Sequence, residues 1–288
     1  MAGARSEGLL LVDKPAGMTS HDAVNRARRA LGERRIGHAG TLDPFATGLL
    51  VLLVGKATRL LPYVEGEPKV YEATIRFGAE TDTDDLTGSE SAHANVPSPE
   101  QVERAIALLT GELEQVPPAY SAKQVDGRRA YAAARRGETM VLAPVAVRVH
   151  EWKLRQWRGE ELDVVVTCAG GTYVRALARD LGRLAGSAAH LSALRRARSG
   201  TLTVAEATPA SEPEASMLRP ALDAMPSLAR VTIEADDVER VARGLPVSIG
   251  DAAIEARRCA LLDSAGALVA IAERSSGWWQ PKVVLREA

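Results

Sequence analysis

The chain has little that would staple it, anchor it or export it. Its 288 residues include only two cysteines, Cys168 and Cys259, far apart and in no Cys-x-x-Cys pair. Neither a disulfide framework nor a structural zinc site is therefore indicated, and both read as buried thiols. No run approaches the roughly 18 apolar residues that a membrane-spanning helix needs. The stretch Met1 to Glu7 lacks the apolar segment of a secretory signal. The expectation is a cytoplasmic protein with no membrane association. Internal repeats and low-complexity tracts are absent too. What is present is 46% hydrophobic residues, enough for two cored domains, or one large domain with an appendage, without crosslinks.

An excess of positive charge is also missing, since the net charge is -1. Spread evenly, that would argue against a nucleic-acid partner, because phosphate neutralisation needs clustered lysine and arginine. The charge is not even. Arg26 to Arg35 holds five arginines against one acid, Lys123 to Arg136 five bases against one acid, and Arg175 to Arg198 six arginines against one acid, whereas Glu80 to Glu103 carries seven acids and no lysine or arginine. Any single cluster reads as a solvated helix face, but three together suggest a basic surface for nucleic acid.

The densest chemistry lies in Gly37-His-Ala-Gly-Thr-Leu-Asp-Pro-Phe-Ala-Thr-Gly48. Three glycines, a proline and two threonines in twelve residues predict a shaped loop rather than helix or strand. Leu49 to Val54 follows as a continuous apolar run, read as a strand buried on both faces. The carboxylate of Asp43 and the imidazole of His38 are thus set on irregular backbone beside the core, a common place for catalytic groups. On spacing alone, a tight turn in which Asp43 bonds local amides is an equal reading.

Elsewhere, Gly8 to Gly17 predicts a buried strand ended by a Lys-Pro turn. A helix follows, capped by Thr19 and Ser20, with Val24, Ala27 and Leu31 on its apolar side. Lys69 to Gly78 alternates as a half-buried strand with Tyr71 on its apolar face. Thr81-Asp-Thr-Asp-Asp85 offers close carboxylates of the kind hard cations take, but the spacing fits no EF-hand. Ser98-Pro-Glu-Gln101 starts a scaffold helix with a capping box. Leu162 to Cys168 is a strand that turns at Gly170 to Arg175 into a helix, without the Walker lysine or GxGxxG spacing of a nucleotide site. Thr208 to Pro226 reads as a weakly ordered junction. Beyond it, a helix over Ala235 to Arg243 and strands near 260–262, 267–272 and 282–285 form a small unit.

The loop at 37–48 closely resembles the catalytic loop of the TruB family of bacterial tRNA pseudouridine synthases. Further matches extend the resemblance from Gly8 to Arg196: Asp13-Lys14-Pro15 in the opening strand, Thr81 to Gly88, Gln115-Val-Pro-Pro-Ala-Tyr-Ser-Ala122 with Gly127, Tyr131 and Ala134-Arg135, Gly171-Thr-Tyr-Val-Arg175 running to Asp180-Leu-Gly182, and Leu194-Arg-Arg196. Gln124 departs from the pattern, standing where the family has lysine, with Lys123 one place earlier. The resemblance implies an α+β fold, a mixed, largely antiparallel central sheet flanked by helices, with a small C-terminal PUA-like β-barrel. It divides the chain into a catalytic domain at 1–226 and an RNA-binding domain at 227–288.

It further implies Asp43 as the catalytic carboxylate, Tyr71 stacked on the target uracil and assisting proton movement, and Arg175 paired with Asp43. Tyr173 and Leu194 would line the base pocket, His38 would help flip the nucleotide, and Asp82 would order the site through hydrogen bonds. Lys14 is assigned to the RNA or catalytic cleft. Arg175 is expected to lower the pKa of Asp43, as a nearby cation does. The implied partner is the T-stem-loop of tRNA, acted on by a monomer with no obligate protein partner, no cofactor and no metal. Two other classes stay open: a non-catalytic RNA-binding protein, and a hydrolase pairing Asp43 with Asp82, Asp84 or Asp85.

Overall fold

In a computed structural model of the chain, residues 7–120, 142–211, 213–248, 256–275 and 277–286 are described, with the backbone alone of 124–125 and 128–129. Lys123, the Gln124 side chain, Gly127, Tyr131, Ala134, Arg135 and the second basic cluster lie outside the described residues.

The first half builds the centre of the sheet. Strand β1 (Gly8–Lys14) runs into helix α1 (Ser20–Leu31), and β2 (Ile36–His38) and β3 (Thr47–Val54) bracket the glycine-rich loop. Regular structure thus reaches further into the loop than its composition predicts. His38 is still in β2 and Thr47 already in β3, because His38 pairs antiparallel with Leu52 and Thr47 pairs parallel with Arg195. Thr19 caps α1 in a box with Asp22, and Gly32 ends it in the left-handed conformation that only glycine adopts cheaply. Next come β4 (Lys69–Phe77), the β5 (Ala79–Thr81) and β6 (Glu90–His93) ribbon, α2 (Pro99–Leu108) with its Ser98–Gln101 capping box, and β7 (Gly111–Gln115).

After the two-residue strands β8 (Gln124–Val125) and β9 (Arg128–Arg129), the hairpin of β10 (Val145–Arg158) and β11 (Glu161–Cys168) leads into α3 (Val174–Leu184). From there run β12 (Ala189–Ser199), β13 (Leu202–Thr203) and β14 (Thr208–Pro209). The central sheet has the order β14-β1-β3-β12-β4-β11-β10-β7, with β2 on β3 and β13 on β12. Only β1 with β14 and β3 with β12 pair parallel, so the expected mixed, largely antiparallel architecture is what is observed.

The uninterrupted apolar runs of β1 and β3 follow from burial on both faces. Leu10, Leu50 and Leu52 face the helices, with Val24 of α1 and Leu177 of α3, while Leu9, Leu49, Val51 and Leu53 face away from them. Leu49 to Val54 are all fully buried; at about 1.5–3 kcal/mol for each aliphatic side chain, β3 is the firmest support in the fold.

The outward face of β1 and β3 is covered by the C-terminal unit. There β15 (Ala229–Thr232), β16 (Arg258–Leu262), β17 (Leu268–Ser275) and β18 (Trp278–Val284) form a four-stranded sheet, antiparallel apart from β15 on β16, with α4 (Ala235–Ala242) against it. Ala260, Ile271, Val283 and Leu285 share a core with Leu9, Leu49 and Val51, and Lys56 donates to the Leu285 carbonyl at 3.0 Å. A boundary near residue 226 therefore marks where a second sheet begins, not where packing stops. The junction is also firmer than its composition predicts. Met225 is fully buried and Leu222 and Ala224 nearly so, and Arg219 exchanges two backbone hydrogen bonds with Leu9.

Candidate active site

The loop between β2 and β3 is held from several sides. Ser20 Oγ, at the start of α1, accepts from Leu42 N at 2.8 Å and donates to Leu42 O at 3.1 Å. The Pro44 carbonyl accepts from Gly17 N at 2.8 Å and from Lys14 Nζ at 3.4 Å. Lys14, assigned above to the cleft, is instead fully buried, with its ammonium on the carbonyls of Pro15, Met18 and Pro44. Its role is to tie the turn after β1 to the residue following Asp43. Arg196 Nη2 donates to Gly40 O at 3.1 Å and its Nε to Leu49 O at 2.7 Å. Gly48 has φ +99, and a Cβ there would overlap the Arg196 backbone, so only glycine lets β3 approach β12 this closely. A loop so tethered presents its carboxylate with little freedom.

Asp43 meets Arg175 in a forked pair, Nε to Oδ2 and Nη2 to Oδ1, both at 2.9 Å. The rest of the guanidinium is used as well, by the carbonyls of Thr83 and Tyr120 at 2.9 Å each, with Asp85 Oδ2 at 3.6 Å. Arg175 stands in the first turn of α3, and the next two turns repeat the pattern. Arg179 pairs with Asp84 and Asp180 at 2.9 Å each, and Arg183 grips both oxygens of Glu80 at 2.7 and 2.6 Å. Arginines at i, i+4 and i+8 lie along one helix face, so the acidic segment Glu80 to Asp85 is bolted along α3 and delivers Arg175 to the carboxylate.

This ladder, with two neighbouring arginines, corrects the reading of the third basic cluster as RNA surface for all of its members but the exposed Arg198. Arg175 and Arg179 are buried and paired, Arg183 and Arg195 are paired with Glu80 and Asp13, and Arg196 is fully buried. The first cluster does face solvent, with Arg26, Arg29, Arg34 and Arg35 exposed.

It also relocates the ordering carboxylate. Asp82 is exposed and caps the Ser89 amide at 2.9 Å, away from Arg175. Asp85 takes the position expected of Asp82. It is buried, faces Arg175, and accepts from the Thr83 and Thr87 hydroxyls and the Thr87 amide. Between them Asp84 adopts φ +60, a left-handed turn that aspartate tolerates better than most residues. That turn sends Asp84 and Asp85 inward. Burial pushes the Asp84 carboxyl up to about 6 against the pull of Arg179.

Asp43 opens on a cavity of about 270 Å³ lined by Gly40, Lys69, Tyr71, Tyr173, Arg175 and Leu194, among others. Its side chain keeps 33% of its surface exposed and lines this recess. Burial raises the Asp43 pKa above the ordinary carboxylate value, with Arg175 opposing and Asp85 reinforcing the rise. The lowering expected of Arg175 is present, but desolvation outweighs it and the net shift is upward.

Tyr71 projects from the apolar face of β4 with its pKa raised, first by burial, while the neighbouring Arg196 guanidinium favours the phenolate. Tyr173 precedes α3 and is clamped through its backbone. Gln115, only 2% exposed, donates to Tyr173 O at 3.1 Å and accepts from Tyr173 N at 2.9 Å. Gln115 lies in a quoted stretch, but its clamp had no separate sequence signal. His38 does not line the cavity. It is half-buried with Nδ1 unpartnered, and burial and then Arg196 lower its pKa. Asp43, Tyr71, Tyr173, Arg175 and Leu194 are thus brought together, and His38 and Asp82 are not. The burial expected of Cys168 and Cys259 is observed, and it lifts their thiols to about 11 and about 12.

A recess lined by Tyr71, Tyr173 and Leu194, with one oriented carboxylate at its foot, suits a planar base presented to a nucleophile or proton acceptor. Residues 28–174 match the family model described as TruB family pseudouridylate synthase (N terminal domain), a span that includes Asp43, Tyr71 and Tyr173 and ends one residue before Arg175. The chain is 44% identical over 291 residues to the tRNA pseudouridine synthase B of Thermobifida fusca (strain YX), covering 97% of this chain and 98% of that protein. It is 43% identical over 293 residues to that of Arthrobacter sp. (strain FB24), covering 96% of each. Among solved structures, a Cbf5-Nop10-Gar1 complex contains a chain with TM-score 0.72 at 22% identity, covering 98% of this chain and 86% of that one. At that identity the likeness speaks for the fold alone.

Proposed function

Because the chain belongs to the TruB family of pseudouridylate synthases, we propose that it isomerises one uridine of tRNA to pseudouridine, at position 55 in the T-loop. The observation that carries the reading is the Asp43–Arg175 fork at the foot of a cavity lined by Tyr71, Tyr173 and Leu194. A uracil stacked inside a folded loop must first leave the stack, at a cost of a few kcal/mol that ring stacking and phosphate contacts offset. Tyr71 and Leu194 then take the two faces of the base, and Tyr173 closes its edge.

Asp43 acts on the reacting nucleoside. Arg175 orients both carboxylate oxygens, leaving a lone pair for attack on C1′ or on the ring, or for removal of the C2′ proton to give a glycal. After cleavage of the C1′–N1 bond the base turns and C5 joins C1′, with loss of the C5 proton and protonation of N1. Residues 1–226 carry this chemistry. The sheet at 227–288 is a PUA-like unit that adds RNA contacts, and the enzyme works as a monomer on the T-stem-loop. A hydrolase built on Asp43 and a second acid finds less support, because Asp84 and Asp85 face arginines and Asp82 lies outside the cavity. Chemical mapping of one tRNA transcript before and after incubation tests the assignment. A single new pseudouridine in the T-loop supports it, and an unmodified T-loop refutes it.

A further inference from the structure

Lys69 is the first residue of β4, and strand alternation puts it on the same face as Tyr71 two residues on. It lines the cavity with Asp43. Its ammonium lies beside the catalytic loop: a Cβ on Gly40 would sit 3.0 Å from Lys69 Nζ and 3.4 Å from Arg196 Nη1, and Gly40, at φ +93, leaves that space empty. Two cations thus flank the loop three residues before Asp43. Of the guanidiniums at the site, Arg175 is fully occupied and Arg196 keeps one buried nitrogen, Nη1, without a partner. Arg175 spends its donors on Asp43, Thr83 and Tyr120, and Arg196 is fully buried with Nε and Nη2 on carbonyls. Lys69 makes no hydrogen bond or ion pair among the described residues, and Glu67, the nearby acid, turns its carboxylate to the Gly170 amide at 2.8 Å.

Within the isomerase reading, on which this inference rests, the reaction demands a cation there. When the C1′–N1 bond breaks, its electron pair stays with the base, and uracil leaves as a monoanion with charge on N1, O2 and O4. Asp43 meanwhile gains either the ester bond to C1′ or the proton from C2′. The anion must then rotate before C5 bonds to C1′, which breaks the ester and frees the Asp43 carboxylate or, from the glycal, draws the proton on Asp43 back to C2′. C5 loses its proton to solvent and N1 takes one, so the net change is nil. We propose that Lys69 is a catalytic residue that holds the detached uracil anion during this rotation. An ammonium is a compact point charge with three donors on a flexible stem, so it can follow a carbonyl oxygen as the ring turns, which a planar fork cannot. Arg196 beneath adds a fixed positive field at no cost in reorganisation.

The test is the single-turnover disappearance of the target nucleoside from a T-stem-loop RNA at saturating enzyme, read by nucleoside chromatography, with uridine or with 5-fluorouridine, which has no C5 proton to lose and so reports cleavage of the C1′–N1 bond alone. Fluorine makes uracil a weaker base and a better anionic leaving group. Lys69→Met is expected to be slower on uridine by about a hundredfold, the range for removing one group that stabilises developing negative charge. The deficit should shrink at least about tenfold on 5-fluorouridine while RNA affinity stays within about threefold. A rate within about threefold of wild type on uridine, or equal deficits on both RNAs as a merely structural role would give, overturns the proposal. If Lys69→Met does not fold, Lys69→Gln carries the same comparison. A wild type inactive on the uridine RNA refutes the isomerase reading and this proposal with it. An active wild type beside an unaffected variant refutes this proposal only.

Discussion

Arg175→Lys keeps a positive charge beside Asp43 but removes the fork. The wild-type pair has two bonds at 2.9 Å, and a charge-assisted hydrogen bond contributes about 1.5–3 kcal/mol. Because a third of the Asp43 side chain is exposed, the lower end applies. Lysine can restore one bond, so the carboxylate loses about 1.5 kcal/mol of stabilisation, which is roughly 1 pKa unit. The sign follows from the charge. Burial already holds the Asp43 pKa above the ordinary value and Arg175 opposes it, so weakening Arg175 raises it further. Chemistry that needs ionised Asp43 fails as pH falls through that pKa, and the acid limb of the rate profile should therefore move to higher pH. The lost bonds to Thr83 and Tyr120 also loosen the carboxylate's orientation, so the plateau should drop by about tenfold or more. Single-turnover release of tritium from RNA carrying 5-tritiated uridine, followed from about pH 5 to about pH 9, reads both effects. An acid limb unmoved or displaced to lower pH would show that Arg175 does not stabilise the Asp43 anion.

Gln115→Ala should lower stability by about 1–3 kcal/mol through the buried Tyr173 amide it leaves unpaired, seen as a reduced urea midpoint, and should slow turnover more than it weakens RNA binding. The folded-state pKa of Lys14, held by burial at about 8 against 10.5, means that the folded protein sheds this proton more readily than the unfolded chain. Wild-type stability should then gain up to about 3 kcal/mol relative to Lys14→Met as pH rises from 8 to 10.5, and a constant difference between the two contradicts it. Removal of 227–288 uncovers Leu9, Leu49, Val51 and Leu53, so the truncated chain should aggregate or melt early instead of retaining an intact catalytic half. A monomeric truncation with the wild-type melting temperature would disprove the shared core. RNA affinity should fall log-linearly with salt, with a shallower slope after Arg26, Arg29, Arg34 and Arg35 are neutralised; an unchanged slope would place the phosphates elsewhere.

Five residues of the site, Asp43, Tyr71, Tyr173, Arg175 and Leu194, were legible because each sits in a motif long enough to resemble a family. Strands β1, β3 and β4 and the starts of α1 and α2 were legible because burial and capping leave local patterns. What escaped was set by the chain's path. Asp82, Asp84 and Asp85 are equivalent in sequence, and only the left-handed turn at Asp84 decides which ones face arginine. Arg175, Arg179 and Arg183 look like part of a basic surface until Asp43 and the acids of Glu80 to Asp85 fold against them. Arg196 carried a signal that charge obscured: it lies two residues beyond Leu194 in β12 and pairs across from Tyr71, on the apolar side of its strand. Strand β15 and the burial of Met225 depend on a partner sheet 30 or more residues downstream, which no local window contains.

The central claim is that Asp43 performs the chemistry while other groups hold the RNA. Asp43→Asn keeps the size and the hydrogen-bonding capacity of the side chain and removes its charge and its nucleophilic or basic lone pair. On tRNA carrying 5-tritiated uridine, the variant is expected to release no tritium above background while binding that tRNA within about tenfold of wild type, or roughly 1.4 kcal/mol. Tritium release near the wild-type rate would contradict the account.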